Sequence, residues 1–325
     1  MGSVLSLGGT TVWNFELIPP HFEGMRMIID PALLQPWLPL HSGRLLAVYD
    51  DLVSFLEDQG YTKNQDLYLW SFDWRLGMHA NATKLAKFVN SINLAGRKLI
   101  FVAHSSGCMV VRAALHNASN VGPPLIDNSL VQLVVAAGPP MLGMASPFKN
   151  LIAMPSLDDT FDTLYSLLKI TYPALADQVS VPINNSLMTV TAALEGIAPD
   201  NIPILSGGSG GTPPPFSAFD WAKWPVELDS LIKSVKATLV DLQATNWGGV
   251  SCTTIASDSH PTDTGYVLDT NDNYLSDWPT DAGDGSVLLG SAQAYCPTGN
   301  HIIVGARHRT LLDDPVSRQY LATVI

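Results

Sequence analysis

The chain has 325 residues, of which 46% are hydrophobic and only 14% are charged. This composition provides for a large buried core and excludes a disordered chain. The formal net charge of −12 and the lack of a Lys/Arg cluster exclude nucleic acid as a partner, because phosphate binding requires basic patches. No run of about 20 apolar residues occurs, so we predict no transmembrane segment.

The first half of the chain alternates between helical and strand patterns. Apolar residues at helical spacing predict a helix over residues 44–60, ending at Gly60. The elements predicted after it are a β-prone run over 66–72, a helix over 82–94, a strand over 98–103, a helix over 106–116 and a strand over 131–137. This alternation predicts an α/β fold, with a mostly parallel sheet covered by helices on both faces.

Residues 146–248 have a different pattern, which divides the predicted domain into two parts. Helical periodicity recurs there, interrupted by the breaker-rich segment SGGSGGTPPP, and nothing predicts a buried strand. We therefore predict a helical cap inserted into a core formed by residues 1–145 and 249–325. The core is completed by strands over 251–256 and 302–306 and by a closing helix over 313–324.

The segment Ala103–Gly107 (AHSSG) follows a predicted strand and precedes a predicted helix. In α/β-hydrolases the nucleophilic serine sits on a tight turn of this kind, usually within G-x-S-x-G, where the neighbours two positions away must be small. Ala103 and Gly107 meet that requirement, so Ser105 is the predicted nucleophile. The segment Gly207–Gly211 also matches the G-x-S-x-G pattern. We predict no strand before it, and prolines follow it where a helix should begin, so we predict a loop there.

A serine nucleophile needs a histidine to take its proton and an acid to orient that histidine. In this fold the chain order is serine, acid, histidine. His308 follows the strand predicted over 302–306, where the base is expected, whereas His104 is expected to point away from Ser105. Asp284 lies between them in a glycine-rich turn. The residue types of this turn leave two alternatives open. Asp284 is a solvated turn residue without a catalytic role, or the acid is Asp281 or Asp277.

The three cysteines are Cys108, Cys252 and Cys296. They show no C-x-x-C spacing, so we predict no zinc or redox site. Cys108 follows the predicted nucleophile on an apolar helix face and is expected to be a small core residue. Cys252 and Cys296 lie on either side of the turn that contains Asp284. The sequence leaves open whether they form a disulfide in an oxidising compartment or remain two free thiols.

With these residues the chain resembles the lecithin:cholesterol acyltransferase family, which includes lysosomal phospholipase A2-like and phospholipid:diacylglycerol acyltransferase-like enzymes. Ser71–Leu76 (SFDWRL) is similar to the family's Y-D-W-R-L stretch, and Ala103–Gly107 to its A/G-H-S-x-G elbow. Gly283–Val287 is similar to its G-D-G-[ST]-V acid turn, and residues 308–312 to its terminal histidine segment. The match at the acid turn favours Asp284 over its competitors.

The resemblance implies an α/β-hydrolase fold and a serine acyltransferase or esterase. Its substrate would be a lipid ester, such as a phospholipid or an acylglycerol, whose acyl group passes through an acyl-enzyme to water or to an alcohol. No metal ion and no organic cofactor is implied. The apolar cap fits a lid that contacts a lipid surface transiently. The alternatives are a generic carboxylesterase for small esters and a catalytically impaired α/β-hydrolase that serves as a binding protein.

Two further site residues follow from the resemblance. The backbone N–H of Ser106, directly after the nucleophile, is the expected first donor of the oxyanion hole. Trp13 corresponds to an early tryptophan of the family and is expected either to face the acyl pocket or to pack in the core.

The family pattern also places a strand and a Pro-Gly pair just before the segment that begins here at Met1. We therefore expect that the chain is truncated or that its start was misassigned, and that the second oxyanion donor falls at Met1. A chain extended by the missing strand would then turn over faster, because losing one donor typically costs about 100- to 1000-fold in rate. If that upstream segment contains a signal peptide, the protein is secreted or lumenal.

Overall fold

The computed structural model describes residues 4–7, 10–16, 26–29, 49–72, 78–116, 124–144, 204–206, 247–268, 274–277, 280–297 and 299–325. Backbone contacts divide the chain into two units, Met1–Asp73 and Trp74–Ile325. Nearly all of the predicted cap over 146–248 lies outside the described residues. The three-part domain organisation therefore stays a prediction. A strand at Ile204–Ser206 lies within the range 146–248 and directly precedes Gly207, so the prediction that no strand precedes the second G-x-S-x-G segment is wrong.

Within its described residues, the first unit contains a small antiparallel sheet and one helix. The sheet has the order β1-β2-β3, formed by β1 (Val4–Leu7), β2 (Thr10–Glu16) and β3 (Arg26–Ile29). The helix α1 (Asp50–Asp58) lies within the range predicted over 44–60 and buries Leu52, Val53 and Leu56. The sequence pattern predicts no element before residue 44, so the sheet is an addition to the predicted architecture.

The β-prone run over residues 66–72 does not form a strand, and that prediction is wrong. The backbone makes only an isolated bridge between Lys63 and Leu67. The Asp66 carboxylate accepts a hydrogen bond of 2.6 Å from the Thr62 N–H, which closes a turn at the start of the run. The rings of Trp70 and Phe72 stack with centroids 6.1 Å apart. Aromatic residues raise β-propensity, but strand formation depends on a partner strand.

The described elements of the second unit include most of the predicted ones, close to their predicted bounds, and also several short strands and a short helix that the sequence does not predict. In chain order they are α2 (Met78–Ser91), β4 (Leu99–His104), α3 (Ser106–Leu115), β5 (Val131–Ala137), β6 (Ile204–Ser206), β7 (Cys252–Ser257), β8 (His260–Thr262), β9 (Tyr266–Leu268), β10 (Tyr274–Asp277), β11 (Asp281–Gly283), α4 (Leu289–Gln293), β12 (His301–Val304) and α5 (Pro315–Val324). The helix α5 begins where the Asp314 carboxylate accepts a hydrogen bond of 2.9 Å from the Val316 N–H. Such a cap satisfies one of the N–H groups that a helix leaves unpaired.

A four-stranded parallel sheet forms the centre of this unit, with the order β12-β7-β5-β4. Its inner strands are the most buried, and the side chains from Val134 to Ala137 on β5 are fully enclosed. Strands covered on both faces are typically continuous apolar runs, as β5 is from residue 133 to residue 137. The helix α3 packs against β4 and α2, and α5 packs against β12. The predicted α/β fold with a mostly parallel central sheet is confirmed.

Two smaller sheets accompany the parallel one. The strands β8 and β11 form an antiparallel pair, and β6, β9 and β10 form a mixed sheet of order β10-β9-β6. The pair β8–β11 matters for the site, because the turn after β11 carries Asp284. The acid therefore follows a strand outside the parallel sheet, while Ser105 and His308 follow the strands β4 and β12 within it. None of the helices that the structure describes has the length and apolar character needed to cross a bilayer.

Cys252 and Cys296 form a disulfide, which decides between the two alternatives left open by the sequence. Cys252 begins β7 and Cys296 follows α4, so the bridge encloses the part of the chain that carries Asp284. Cys108 is free and buried, as predicted. Burial raises the pKa of the Cys108 thiol far above its ordinary value, which keeps it protonated and unreactive.

We expect the double variant Cys252→Ala/Cys296→Ala to lose about 4 kcal/mol of unfolding free energy on the chain-entropy account of cross-links. The bridge closes a loop with a sequence separation of 44, so opening it frees a long segment of the unfolded chain. Urea unfolding with and without reductant measures the effect. Reductant should lower the midpoint of the wild type and leave that of the double variant unchanged. A wild-type midpoint that stays constant while both thiols are released would contradict this.

Candidate active site

Ser105 lies on the turn between β4 and α3, in a backbone conformation that serine rarely adopts. Its φ is 54° and its ψ is −132°. A non-glycine residue in such a region is disfavoured by about 1–3 kcal/mol and persists only when its surroundings hold it. Here the Ser105 N–H donates to the Ala137 carbonyl at 2.9 Å, and the Ser105 carbonyl accepts from the Cys108 N–H at 3.0 Å. The turn therefore has the geometry of a nucleophile elbow.

The structure brings Ser105, His308 and Asp284 into one hydrogen-bonded chain. His308 Nε2 lies 2.9 Å from Ser105 Oγ, and His308 Nδ1 lies 2.7 Å from Asp284 Oδ2. A carboxylate accepts only, so Nδ1 carries the proton and Nε2 presents its lone pair to the serine hydroxyl. This tautomer is the one in which a histidine can remove a proton from serine.

Asp284 is held by three separate groups and is only 1% exposed. Its Oδ1 accepts hydrogen bonds from the N–H groups of Ser286 at 2.9 Å and Val287 at 2.7 Å, while Oδ2 faces His308. Burial acts to raise the pKa of Asp284, but the hydrogen bond and the charge of His308, together with the two N–H donors, outweigh it. The pKa of Asp284 is therefore lower than its ordinary value, and the carboxylate stays ionised.

The competing acids are placed differently. Asp281 is exposed, and its carboxylate accepts a hydrogen bond of 2.7 Å from the Ala282 N–H directly after it. Asp277 ends β10, and its side chain lies outside the described part of the chain. Only Asp284, of the candidates whose side chains are described, contacts the His308 ring.

Thr262 supports the acid turn and was not singled out by the sequence. Its hydroxyl accepts from the Gly285 N–H at 2.9 Å and donates to the His260 carbonyl at 3.0 Å. It is 1% exposed, so both bonds are protected from water. The turn after β11 is thereby attached to the neighbouring strand β8, which fixes the position of Asp284.

The loop that carries His308 is held by imidazole side chains at two points. His260 Nε2 lies 2.9 Å from the Gly305 carbonyl, just after β12. His104 Nε2 lies 2.8 Å from the carbonyl of His308 itself. The sequence predicts that His104 points away from Ser105, but its ring packs against that of His308 with centroids 4.7 Å apart. Its place directly before the nucleophile is the one sequence signal that singles it out.

Gly138 lies against the pair formed by Asp284 and His308. It follows β5 with φ at +53°, and its N–H donates to the Ile255 carbonyl at 2.8 Å. A Cβ at this position would lie 2.9 Å from both Asp284 Oδ2 and His308 Nδ1. Those two atoms form the acid–base hydrogen bond, so a glycine is required at the point where β5 leaves the sheet.

The remaining predicted site residues differ in how far the structure describes them. Ser106 begins α3, so its backbone N–H is one that the helix itself cannot pair. Trp13 lies in β2, paired with Leu5 and Ile29, and its side chain lies outside the described residues, as does Met1. Among the side chains that are described, no cluster of three or more His, Cys, Asp or Glu could hold a metal ion.

Comparison with known proteins supports the resemblance seen in the motifs. Residues 37–163 match the family model described as lecithin:cholesterol acyltransferase. The matched stretch contains the SFDWRL and AHSSG segments and ends before Asp284 and His308. The resemblance to that family is confirmed over this stretch. No curated protein matches the chain. A solved structure described as the crystal structure of the Tle4-Tli4 complex is similar at 13% identity, over 87% of this chain and 76% of that chain, with a TM-score of 0.49.

Proposed function

Because the chain is similar to lecithin:cholesterol acyltransferases over residues 37–163, we propose that it transfers or hydrolyses acyl groups of lipid esters by a serine-dependent mechanism. The observation that carries this proposal is the position of His308. Its two ring nitrogens lie within hydrogen-bond distance of Ser105 Oγ and Asp284 Oδ2. An imidazole between a hydroxyl and a buried carboxylate is the arrangement that makes a serine nucleophilic.

In the first half of the proposed reaction, His308 Nε2 takes the proton of Ser105 as Oγ attacks the ester carbonyl carbon. The tetrahedral intermediate collapses, and His308 returns the proton to the departing alcohol. The acyl group is then bound to Ser105 as an ester. Asp284 remains ionised throughout and stabilises the positive charge that His308 carries between the two proton transfers.

In the second half, water or an acceptor alcohol attacks the acyl-enzyme. His308 takes the proton of the attacking hydroxyl and gives it back to Ser105 as the new product leaves. In both halves the negative oxygen of the intermediate needs N–H donors that are already in place. The N–H of Ser106 at the start of α3 is the proposed donor, because it directly follows the nucleophile.

The proposed substrate is a phospholipid or an acylglycerol. This choice rests on the family match and on the apolar segment 146–248, which we propose acts as a lid at a lipid surface. No metal ion or organic cofactor takes part in the proposed cycle, since the proton transfers and the nucleophile come from the three side chains.

Labelling by a fluorophosphonate probe tests the proposed mechanism, because the probe forms a covalent bond with an activated serine. We expect the wild type to incorporate about one equivalent and Ser105→Ala to incorporate none. The matched control is Ser209→Ala, which removes the serine of the other G-x-S-x-G segment, and it should label like the wild type. If Ser105→Ala labels normally, another residue is the nucleophile and the mechanism is wrong. If the folded wild type does not label, a binding role is favoured.

A substrate comparison separates the lipid enzyme from a small-ester esterase. Phospholipid vesicles, long-chain acylglycerols and short-chain soluble esters are offered to the same preparation, with and without a long-chain alcohol as acceptor. The proposal expects turnover of the vesicle lipids at rates above that of the soluble ester. Turnover restricted to the short-chain ester would instead identify a generic carboxylesterase.

A further inference from the structure

We propose that His104 is a positioning residue for the catalytic base: its ring N–H fixes the peptide of His308 so that the His308 ring stays between Ser105 and Asp284. This inference rests on the proposed function, since it assumes that His308 acts as the base. It adds a fourth side chain to the machinery, one that acts in the proposed cycle through the backbone carbonyl of His308.

The geometry assigns the hydrogen bond its direction. His104 Nε2 lies 2.8 Å from the His308 carbonyl oxygen. A carbonyl can only accept, so the proton of His104 resides on Nε2. The same nitrogen is thereby occupied and cannot take a proton from Ser105. Through this bond His104 is suited to hold the catalytic base in position.

The peptide groups of His308 are held on both sides. The His308 N–H donates to the Asp284 carbonyl at 2.9 Å, and the His308 carbonyl accepts from His104. The first bond joins the base to the backbone of the acid. The second joins it to the residue that immediately precedes the nucleophile. A shift of the His308 backbone would break one of the two bonds. The segments that carry Asp284, His308 and Ser105 are therefore held at fixed positions relative to one another.

His104 is itself rigidly placed. It ends β4 and pairs with Ala137 on the neighbouring strand β5. The rings of His104 and His308 are in contact, at an interplanar angle of 40°. Burial, and after it the charge of His308, lower the pKa of His104 to about 3, while its bond to the His308 carbonyl and the charge of Asp284 act in the opposite direction. The ring therefore stays neutral and does not oppose the protonation of His308.

The expected consequence of losing this bond is kinetic. Only residues 305–307 connect β12 to His308, and the His308 carbonyl would otherwise have to find another donor. A displacement of a catalytic group by about 1 Å can lower a rate by about 100-fold. A protein that lacks the His104 donor should therefore fold and retain Ser105, but acylate slowly.

The test compares the rate constant of fluorophosphonate labelling per active site in His104→Leu and His104→Gln. Leucine removes the donor at similar volume, whereas the glutamine amide can place an N–H near the position of Nε2. We expect labelling by His104→Leu to be about 10- to 100-fold slower, with the full labelling amplitude, and His104→Gln to be within about threefold of the wild type. The matched control is His301→Leu, which makes the same change at the first residue of β12, the opposite end of that strand from His308.

The outcomes are distinguishable. Wild-type labelling rates in His104→Leu would overturn the inference, and so would a glutamine variant as slow as the leucine variant. A loss of amplitude and thermal midpoint with an unchanged rate constant would show a merely structural role and would also overturn it. If His104→Leu does not fold, His104→Asn replaces it, since its shorter amide cannot reach the carbonyl. Normal labelling of Ser105→Ala would refute the proposed function itself, independently of His104.

Discussion

The variant Asp284→Asn is expected to fold like the wild type and to lose about 10⁴-fold in kcat, the magnitude found when the triad aspartate of a serine protease is replaced in this way. Asparagine has the same shape, and its oxygen can still accept from the N–H groups of Ser286 and Val287. Its amide then turns an N–H toward His308 Nδ1. That nitrogen must accept, so the proton moves to Nε2, where it faces Ser105 Oγ and blocks proton removal.

The matched control for this variant is Asp281→Asn, which changes an exposed carboxylate on β11 that accepts a hydrogen bond from the Ala282 N–H. Its kcat for ester hydrolysis should equal that of the wild type. An Asp284→Asn protein with kcat within about tenfold of the wild type would contradict the assigned role.

The pH dependence of the unfolding free energy provides a second comparison between the wild type and Asp284→Asn. The pKa of Asp284 is lower in the folded state than its ordinary value. The stabilisation from its ionised form is therefore fully present above the unfolded pKa of about 3.9, and it is lost as pH falls through the folded pKa. The difference in unfolding free energy between wild type and Asp284→Asn should shrink over that acidic window.

The variant Gly138→Ala is expected to lower kcat/KM by at least about 100-fold, because it displaces the acid from the base. The added Cβ would lie 2.9 Å from Asp284 Oδ2, 2.9 Å from His308 Nδ1 and 2.7 Å from Leu311 Cδ1. Real Cβ atoms do not approach other atoms this closely, so the pair must separate or the end of β5 must move. Either shift breaks the alignment on which proton transfer depends.

A second effect of Gly138→Ala has to be separated from the first. The backbone at Gly138 has φ at +53°, and a residue with a Cβ is disfavoured there by about 1–2 kcal/mol. The matched control is Gly249→Ala, at φ +83°, where an added Cβ meets nothing within 4 Å. Both variants should lose stability, and only Gly138→Ala should lose activity. Equal kcat/KM values for the two variants would contradict the predicted clash.

The parallel sheet is the part of the fold that the sequence predicts best. The strand over 131–137 is predicted and observed over the same residues, because a run that is apolar except for Gln132 is stopped there by Gly138-Pro139-Pro140. The run over 66–72 fails for the opposite reason. Its aromatic residues satisfy the composition of a strand, but strand formation needs a neighbouring strand, and composition says nothing about neighbours.

The site residues also differ in whether the local sequence or the neighbouring segments determine their role. Ser105, Asp284 and His308 can be singled out because each lies in a short motif with a definite place relative to a strand. Gly138 and His104 cannot be assigned their contacts in this way. Their roles depend on which segments approach each other once the sheet has formed, and 203 residues separate Ser105 from the histidine that it contacts.

The unusual backbone conformation of Ser105 connects the stability of the fold with the proposed activity. Glycine adopts such a conformation freely, whereas a side chain at that position works against the folded state. A chain shaped only by the need to stay folded would carry glycine there. Serine at this position therefore lowers the free energy of unfolding. Under the proposed mechanism, it is also the residue on which turnover depends.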